Sequence, residues 1–272
     1  MTQLYFLLGL SLGIFAFASS AQANTDGFPG RAEFPQVKNY TKEDLNKDFN
    51  QVLIVDTRSN YEFETIHINT AINIPVSRKD FVAKVREIRK TTNKTIVFYC
   101  NGRTCYKSYK AAKAAMDNGI ENVFAYDAGM FEWAKAYPDK STLLGHSPLN
   151  PANLLSKATL KAHTLSPKAF TEMVYSMGDK AMVIDIRDTT QRANGVGYFI
   201  GFERWISLNQ KEQVIKRMRQ AAKAKKTLLI YDAVGKQVRW LQYTLEKEKI
   251  KDYYFMAKGA MGFYNDIINI KH

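Results

Sequence analysis

Short apolar runs alternate with amphipathic segments along most of the chain. Residues 51–55, 95–99 and 122–126 are rich in β-branched and aromatic side chains, which is typical of buried strands. Between them, residues 80–90 carry apolar side chains every three or four positions, which predicts a helix with one buried face. Strands that alternate with helices predict an α/β fold, in which a mostly parallel sheet has helices on both faces.

The same pattern is repeated in the second half of the chain. The run that ends in Asp56 returns in a run that ends in Asp185, and the run before Cys100 returns before Asp232, each about 130 residues later. A third apolar run, which is followed by a glycine, recurs at a similar spacing. Three matched segments in the same order indicate a tandem duplication.

The first 23 residues have the pattern of an export signal. An apolar run over residues 4–17 precedes Ala21-Gln22-Ala23, which is typical of a signal peptide and its cleavage site. Residues 1–3 lack the Lys or Arg that usually precedes such a run, so an uncleaved N-terminal anchor is the alternative. We expect a periplasmic or secreted protein that contacts a membrane only if the signal is retained.

These features divide the chain into five segments. They are a signal peptide at residues 1–23, a linker at 24–36, a first domain at 37–145, a second linker at 146–164 and a second domain at 165–272.

The net charge of +13 changes the expected partners only slightly. Its densest cluster, residues 216–226, lies on a predicted amphipathic helix, where a solvated surface is the simplest interpretation. A basic surface that attracts small anions or an acidic partner is the alternative. Because the protein is expected to be exported, we do not expect nucleic acid as a partner.

The two cysteines of the chain, Cys100 and Cys105, lie in one short loop, which excludes a scaffold of several disulfides. Cys100 ends a predicted strand and precedes a helix predicted from about residue 104. The helix dipole, the loop amides and the cations of Arg103 and Lys107 all favour a thiolate there. We therefore predict that Cys100 is a nucleophile. Cys105 is a resolving thiol, a disulfide partner or a residue with no chemical role.

With these residues in place, nearly all of the chain after the signal resembles the rhodanese (sulfurtransferase) superfamily in its tandem two-domain form. The motifs that carry the resemblance are Asp56-x-Arg58, Tyr61-Glu62-Phe63, His67 to Pro75, Tyr99-Cys100-Asn101-Gly102, and Asp127-x-Gly129 followed by Trp133. The family usually has Arg five residues after the cysteine, where this chain has Cys105. The anion-binding role of that Arg must then fall on loop amides, Arg103 or Lys107. Asp232 replaces the second cysteine, which implies a catalytically silent second domain that completes the pocket wall of the first.

The resemblance implies a sulfurtransferase that moves sulfur from thiosulfate or a persulfide to a thiol or cyanide through a Cys100 persulfide. It requires no cofactor and no metal. The implied site consists of catalytic Cys100, the substrate-binding residues Asn101, Gly102, Arg103, Thr104, Cys105 and Lys107, and the supporting residues Asp56, Arg58 and His67. From the residues alone, His67 is expected to be hydrogen-bonded rather than a catalytic base. Two alternatives are a thiol–disulfide or redox-sensing protein that uses Cys100 and Cys105, and a non-catalytic binding module.

Overall fold

The computed structural model describes residues 27–189, 191, 192 and 197–269. The predicted signal peptide lies outside the described residues. The strands are β1 (Asn39–Tyr40), β2 (Leu53–Asp56), β3 (Ile66–Ile68), β4 (Ile72–Asn73), β5 (Ile96–Tyr99), β6 (Val123–Tyr126), β7 (Ser141–Leu143), β8 (Thr164–Leu165), β9 (Ala181–Asp185), β10 (Glu203–Trp205), β11 (Thr227–Tyr231) and β12 (Tyr253–Met256).

The helices are α1 (Gly30–Glu33), α2 (Lys42–Lys47), α3 (Asn60–Thr65), α4 (Phe81–Thr91), α5 (Lys107–Asp117), α6 (Gly129–Ala136), α7 (Lys157–Ala162), α8 (Pro167–Met177), α9 (Lys211–Lys223), α10 (Val238–Lys247) and α11 (Gly259–Phe263). None of the helices in these described ranges has the length and apolar character needed to cross a membrane.

Two five-stranded parallel sheets confirm the predicted α/β class. The first has the order β1-β6-β5-β2-β4, and the second, in the matching direction, has the order β8-β12-β11-β9-β10. The first sheet with α1 to α6 is called the first unit, and the second sheet with α8 to α11 is called the second unit. The two units share one strand order, as the sequence duplication predicts. A small antiparallel pair, β3 and β7, adds to the first unit.

The middle strand of each sheet, β5 or β11, leads directly into a loop that bears on function. All four residues of β5 and all five residues of β11 are buried, as expected for strands covered on both faces. Residues 100–106 follow β5 and are called the active loop, and residues 232–238 follow β11 and are called the matched loop. Both loops therefore lie at the carboxyl edge of a parallel sheet, where such sheets generally bind ligands.

Helix α5 begins at Lys107, three residues later than predicted, because the preceding residues form a turn in which the Cys105 N–H donates to the Gly102 carbonyl oxygen at 2.7 Å. The sequence pattern of this helix predicts Tyr109, Ala112 and Met116 as its inward residues. Tyr109 and Ala112 are buried, but Met116 is 39% exposed and the prediction for it is wrong. Ala115 lies three residues after Ala112 on the same face of the helix, and it is buried in place of Met116.

The two units pack against each other through α3 of the first and α10 of the second. One continuous apolar cluster contains buried residues of both units, among them Tyr61 and Trp240. The hydroxyl groups of Tyr61 and Thr244 are hydrogen-bonded across this interface. At its edge, Lys211 and Glu64 form an ion pair at 2.5 Å. The active loop therefore lies beside the second unit.

Candidate functional site

A buried ion pair fixes the backbone below the active loop. Arg58 and Asp56 are fully buried and form a bidentate pair, with Arg58 Nη2 at 2.5 Å from Asp56 Oδ2. The same guanidinium donates to the carbonyl oxygen of Ile66 at 2.6 Å and to Asn101 Oδ1 at 3.2 Å. The pair is thus the internal structural element that the sequence predicts, and it holds one side chain of the active loop.

The Asn101 side chain points into the protein and connects both units. Its Nδ2 donates to Glu62 Oε1 at 2.6 Å, and its Oδ1 accepts from Trp240 Nε1 of the second unit at 2.8 Å. Glu62 also closes a capping box with Ser59 at the start of α3. The side chain of Asn101 therefore positions the loop rather than facing the cavity as a free ligand.

Glu62 is a fully buried carboxylate beneath the active loop. Burial opposes its ionisation, but the positive charges of Lys107 and Arg58 and the hydrogen bond from Asn101 outweigh burial and lower its pKa to about 2. Lys107 Nζ lies 3.8 Å from Glu62 Oε2, and the Lys107 side chain is 25% exposed. The positive charge of Lys107 is therefore already balanced by an acid, which weakens its predicted role as the main substrate-binding cation.

His67 is held by local contacts, as expected from the sequence. Its Nδ1 is 2.8 Å from the carbonyl oxygen of Phe63, and its ring stacks on the Phe63 ring with centroids 4.1 Å apart. Burial lowers the pKa of His67, which favours the neutral ring. These contacts give His67 a supporting role in the turn that follows α3.

Cys100 lies at the bottom of the active loop. It is fully buried, and its Sγ donates to the Cys105 carbonyl oxygen at 3.1 Å and contacts Ser108 Oγ at 3.6 Å. Burial raises the pKa of the Cys100 thiol well above its usual value, and the neighbouring Cys105 acts in the same direction. In this state Cys100 is a protonated donor, contrary to the thiolate expected from its position in the sequence.

Cys105 has the opposite surroundings. It is partly exposed, and an interaction with the Cys100 thiol favours its ionised form. This interaction, the positive charge of Lys107 and the N–H groups of Lys107 and Asn101 lower the pKa of Cys105 to about 6, against the effect of burial. The environment that the sequence predicts for a thiolate is present, but it surrounds Cys105.

Residues 101–105 of the active loop line a cavity of about 210 Å³ between the two units. Its lining residues are Asn101, Gly102, Arg103, Thr104, Cys105, Phe131, Leu160, Gly235, Lys236, Arg239 and Trp240. Cys105 is among them and Cys100 is not. The predicted substrate-binding residues Gly102, Arg103 and Thr104 are therefore brought together with side chains of the second unit.

Gly129 packs against the active loop on the side that faces away from this cavity. Its φ of +75° lies in the left-handed region, and a side chain there would overlap the backbone of Gly102 and Asn101. Gly259 occupies the matched place in the second unit, where a side chain would overlap Asp232. Both loops thus pack directly against the backbone of the next turn.

The matched loop closes around the carboxylate of Asp232. Asp232 Oδ1 accepts from the N–H groups of Val234 and Gly235, and Oδ2 accepts from those of Gln237 and Val238. Asp232 is fully buried, and burial raises its pKa while these four N–H groups lower it. Four converging amides show that this loop shape is a cradle for negatively charged oxygen.

Comparison with known proteins assigns the first unit to a family. Residues 39–136 match the model of the rhodanese-like domain. The chain carries a rhodanese-like domain. A tRNA uridine(34) hydroxylase of Yersinia enterocolitica is 34% identical over 104 residues, which are 36% of this chain and 29% of the relative. An HTH-type transcriptional regulator of Mycobacterium tuberculosis is 35% identical over 102 residues, which are 37% of this chain and 43% of the relative. The chain thus spans less than half the length of these relatives.

Solved structures with similar chains include a thiosulfate sulfurtransferase from Pseudomonas aeruginosa. It is 17% identical with a TM-score of 0.38, and the match covers 85% of this chain and 42% of that one. The structure titled As-Sb reductase from Leishmania major is 18% identical with a TM-score of 0.34, and the match covers 39% of this chain and 86% of that one.

Several residues around the rhodanese-like domain's loop are not found by sequence reasoning. Glu62 is detectable in principle, because it follows Ser59 by three positions as in a capping box. Phe131, which its apolar character alone would assign to the core, lines the cavity and packs on Trp240 with ring centroids 5.3 Å apart. Lys236, Arg239 and Trp240 belong to no motif, because their role depends on the packing of two units that are distant in sequence.

Proposed function

We propose that this protein is a sulfurtransferase that takes sulfane sulfur from a small anionic donor, thiosulfate or a persulfide, and passes it to a thiol or cyanide. Sulfur would be carried as a persulfide of Cys100, in a protein exported by its predicted signal. The rhodanese-like domain supports the reaction class. The observation that carries the proposal is the carboxylate cradle at Asp232, the position in the second unit that matches Cys100.

Asp232 has the reach of a cysteine persulfide. Its chain of Cβ, Cγ and Oδ places a negatively charged oxygen two bonds beyond Cβ, and a persulfide of Cys100 places its outer sulfur two bonds beyond Cβ through Sγ. In the matched loop that position is surrounded by four N–H groups. The corresponding amides of the active loop belong to Gly102, Arg103, Cys105 and Tyr106. The amides of Gly102, Arg103 and Tyr106 would stabilise the anionic persulfide, whereas the Cys105 N–H already donates to the Gly102 carbonyl oxygen.

Cys105 is placed to meet the donor first, because it lines the cavity and favours the thiolate. In the proposed first step, the Cys105 thiolate attacks the outer sulfur of thiosulfate, an S–S bond forms, and sulfite leaves with the electron pair of the broken bond. Cys100 then gives its proton to the outer sulfur of Cys105 and attacks that sulfur. The Cys105 thiolate leaves, and the Cys100 persulfide remains.

Intact mass measured before and after thiosulfate treatment tests this proposal on the wild type, Cys100→Ser and Cys105→Ser. We expect the wild type to gain one sulfur, which peptide mapping locates on Cys100. In Cys100→Ser the sulfur should stop on Cys105, and in Cys105→Ser loading should be at least about tenfold slower because the more reactive thiolate is lost. No gain of sulfur in any of these proteins would overturn the proposal.

A thiol–disulfide function is the second candidate, favoured by the direct contact between the two cysteines of the active loop. The Cys100 Sγ lies 3.1 Å from the Cys105 carbonyl oxygen, so the two residues are already in contact. The same mass measurement distinguishes this candidate. It predicts a wild-type mass deficit of two hydrogens without added sulfur, which disappears in either Cys→Ser variant.

A further inference from the structure

The cavity between the two units is small and positively charged. Its volume of about 210 Å³ is below the range of roughly 300–1,000 Å³ that accommodates drug-sized ligands, so it suits a small molecule. Of its eleven lining residues, three are cations and none is acidic. Phe131, Leu160 and Trp240 add apolar walls beside these charges.

Two of the three cations are already engaged. Arg103 forms a two-pronged ion pair with Glu132, with Nε at 2.6 Å from Oε1, and its side chain is 45% exposed. Lys236 donates to the carbonyl oxygen of Thr104 at 2.6 Å and to its hydroxyl at 2.7 Å. Lys236 therefore ties the second unit to the active loop, and Arg103 has its charge balanced by an acid.

Arg239 is different from both. Within the described ranges it has no hydrogen bond or ion pair, and its Nε is buried without a partner. Its guanidinium lies over the Phe131 ring, which positions the group without neutralising it. Burial lowers the pKa of Arg239 to about 10, in the absence of any acid that would compensate. A partly buried guanidinium whose buried Nε has no partner is a favourable site for an anion.

The position of Arg239 suits it to the anion-binding role of the arginine that Cys105 replaces. Arg239 is the second residue of α10, so the positive end of that helix adds to its charge. It lines the same cavity as Cys105. We propose that Arg239 of the second unit binds the oxyanion end of a small sulfur donor and directs its sulfane sulfur towards Cys105. This inference rests on the proposed sulfurtransferase function and extends it to the donor class, which is small anions with a sulfonate-like end.

Binding without turnover tests Arg239 separately from the reaction. In a Cys100→Ser/Cys105→Ser background, thiosulfate is titrated by calorimetry and by tryptophan fluorescence, to which Trp240 in the cavity wall contributes. We expect Arg239→Gln to weaken thiosulfate binding at least about tenfold, and Arg239→Lys to retain part of the affinity because it keeps the charge without the planar donor pair. Lys223→Gln, which removes one positive charge from the exposed face of α9, is the matched control and should change binding less than about twofold.

The possible results separate the two proposals. If Arg239→Gln binds thiosulfate as tightly as its parent, or if Arg103→Gln weakens binding more, the assignment of Arg239 is overturned. If binding depends on Arg239 but the wild type gains no sulfur, the anion site stands and the sulfurtransferase proposal fails. In the Cys-containing protein, Arg239→Gln should raise the KM for thiosulfate more than it lowers kcat, because the interaction is already present when the donor binds.

Discussion

At the scale of single residues, the active loop divides two tasks between its cysteines. Cys100 is buried, and its thiol is a hydrogen-bond donor. Cys105 is partly exposed, and the Cys100 thiol, two backbone N–H groups and the positive charge of Lys107 favour its ionised form. Chain position alone suggests that Cys100 is the thiolate, because Cys100 follows the strand and precedes the helix. Burial and hydrogen-bond direction decide which thiol ionises, and neither can be read from the order of the residues.

The reactivity of Cys105 should therefore follow an unusually low pKa. Alkylation by iodoacetamide, followed by peptide mapping, should modify Cys105 with a rate that rises with pH, has its midpoint at about 6 and levels off above it, because only the thiolate reacts. Cys100 should react far more slowly at every pH. In Cys100→Ala the midpoint for Cys105 should move up towards about 8.5. A wild-type midpoint near 8 would contradict the assignment.

At the scale of secondary-structure elements, the sequence predicts the parts of the fold that depend on local pattern. Strands β2, β5 and β6 and helix α4 lie within a few residues of their predicted bounds, because apolar periodicity is a local signal. The start of α5 is predicted too early, because the turn that delays it is closed by a backbone bond between Cys105 and Gly102. Contacts across the two units, such as Trp240 to Asn101, have no local signal at all.

The matched loop offers a stability test at the same scale. Asp232→Ala should reduce the free energy of unfolding by at least about 3 kcal/mol, because four buried N–H groups lose their acceptors. Asp232→Asn should reduce the free energy of unfolding less. Its amide oxygen can still accept from two N–H groups, although its amide nitrogen then faces the other two donors. Urea unfolding measures both, with the exposed Asp179→Ala as control. Equal stability of Asp232→Ala and wild type would show that the cradle has no structural role.

At the scale of the whole molecule, the two units share a core and a site. The apolar cluster that contains Tyr61 continues into Trp240, and the cavity has walls from both units. The second unit has an Asp in place of the thiol at the matched position. Side chains of the second unit nevertheless complete the cavity beside the active loop of the first unit. The duplication thus leaves one reactive loop and one supporting surface.

Shared packing predicts that the units unfold together. Calorimetry should give one transition, coincident with loss of both near- and far-ultraviolet circular dichroism. Trp240→Ala should destabilise the protein by about 3–5 kcal/mol or separate the transition into two, because it removes a buried ring and its bond to Asn101. Tyr175→Ala, at a ring that is 60% exposed, is the control. Two separate transitions in the wild type would contradict a shared core.

The close contact between Gly129 and Gly102 has a consequence for the order of events in turnover. The active loop meets backbone at Gly129, which is not among the residues that line the cavity, so the loop opens to its ligands on the side of the second unit. In the proposed sulfur transfer, donor and acceptor must then use the same opening in succession. The first product has to leave before the acceptor enters, which gives parallel lines in double-reciprocal plots, and an excess of either substrate should compete for the opening with the other.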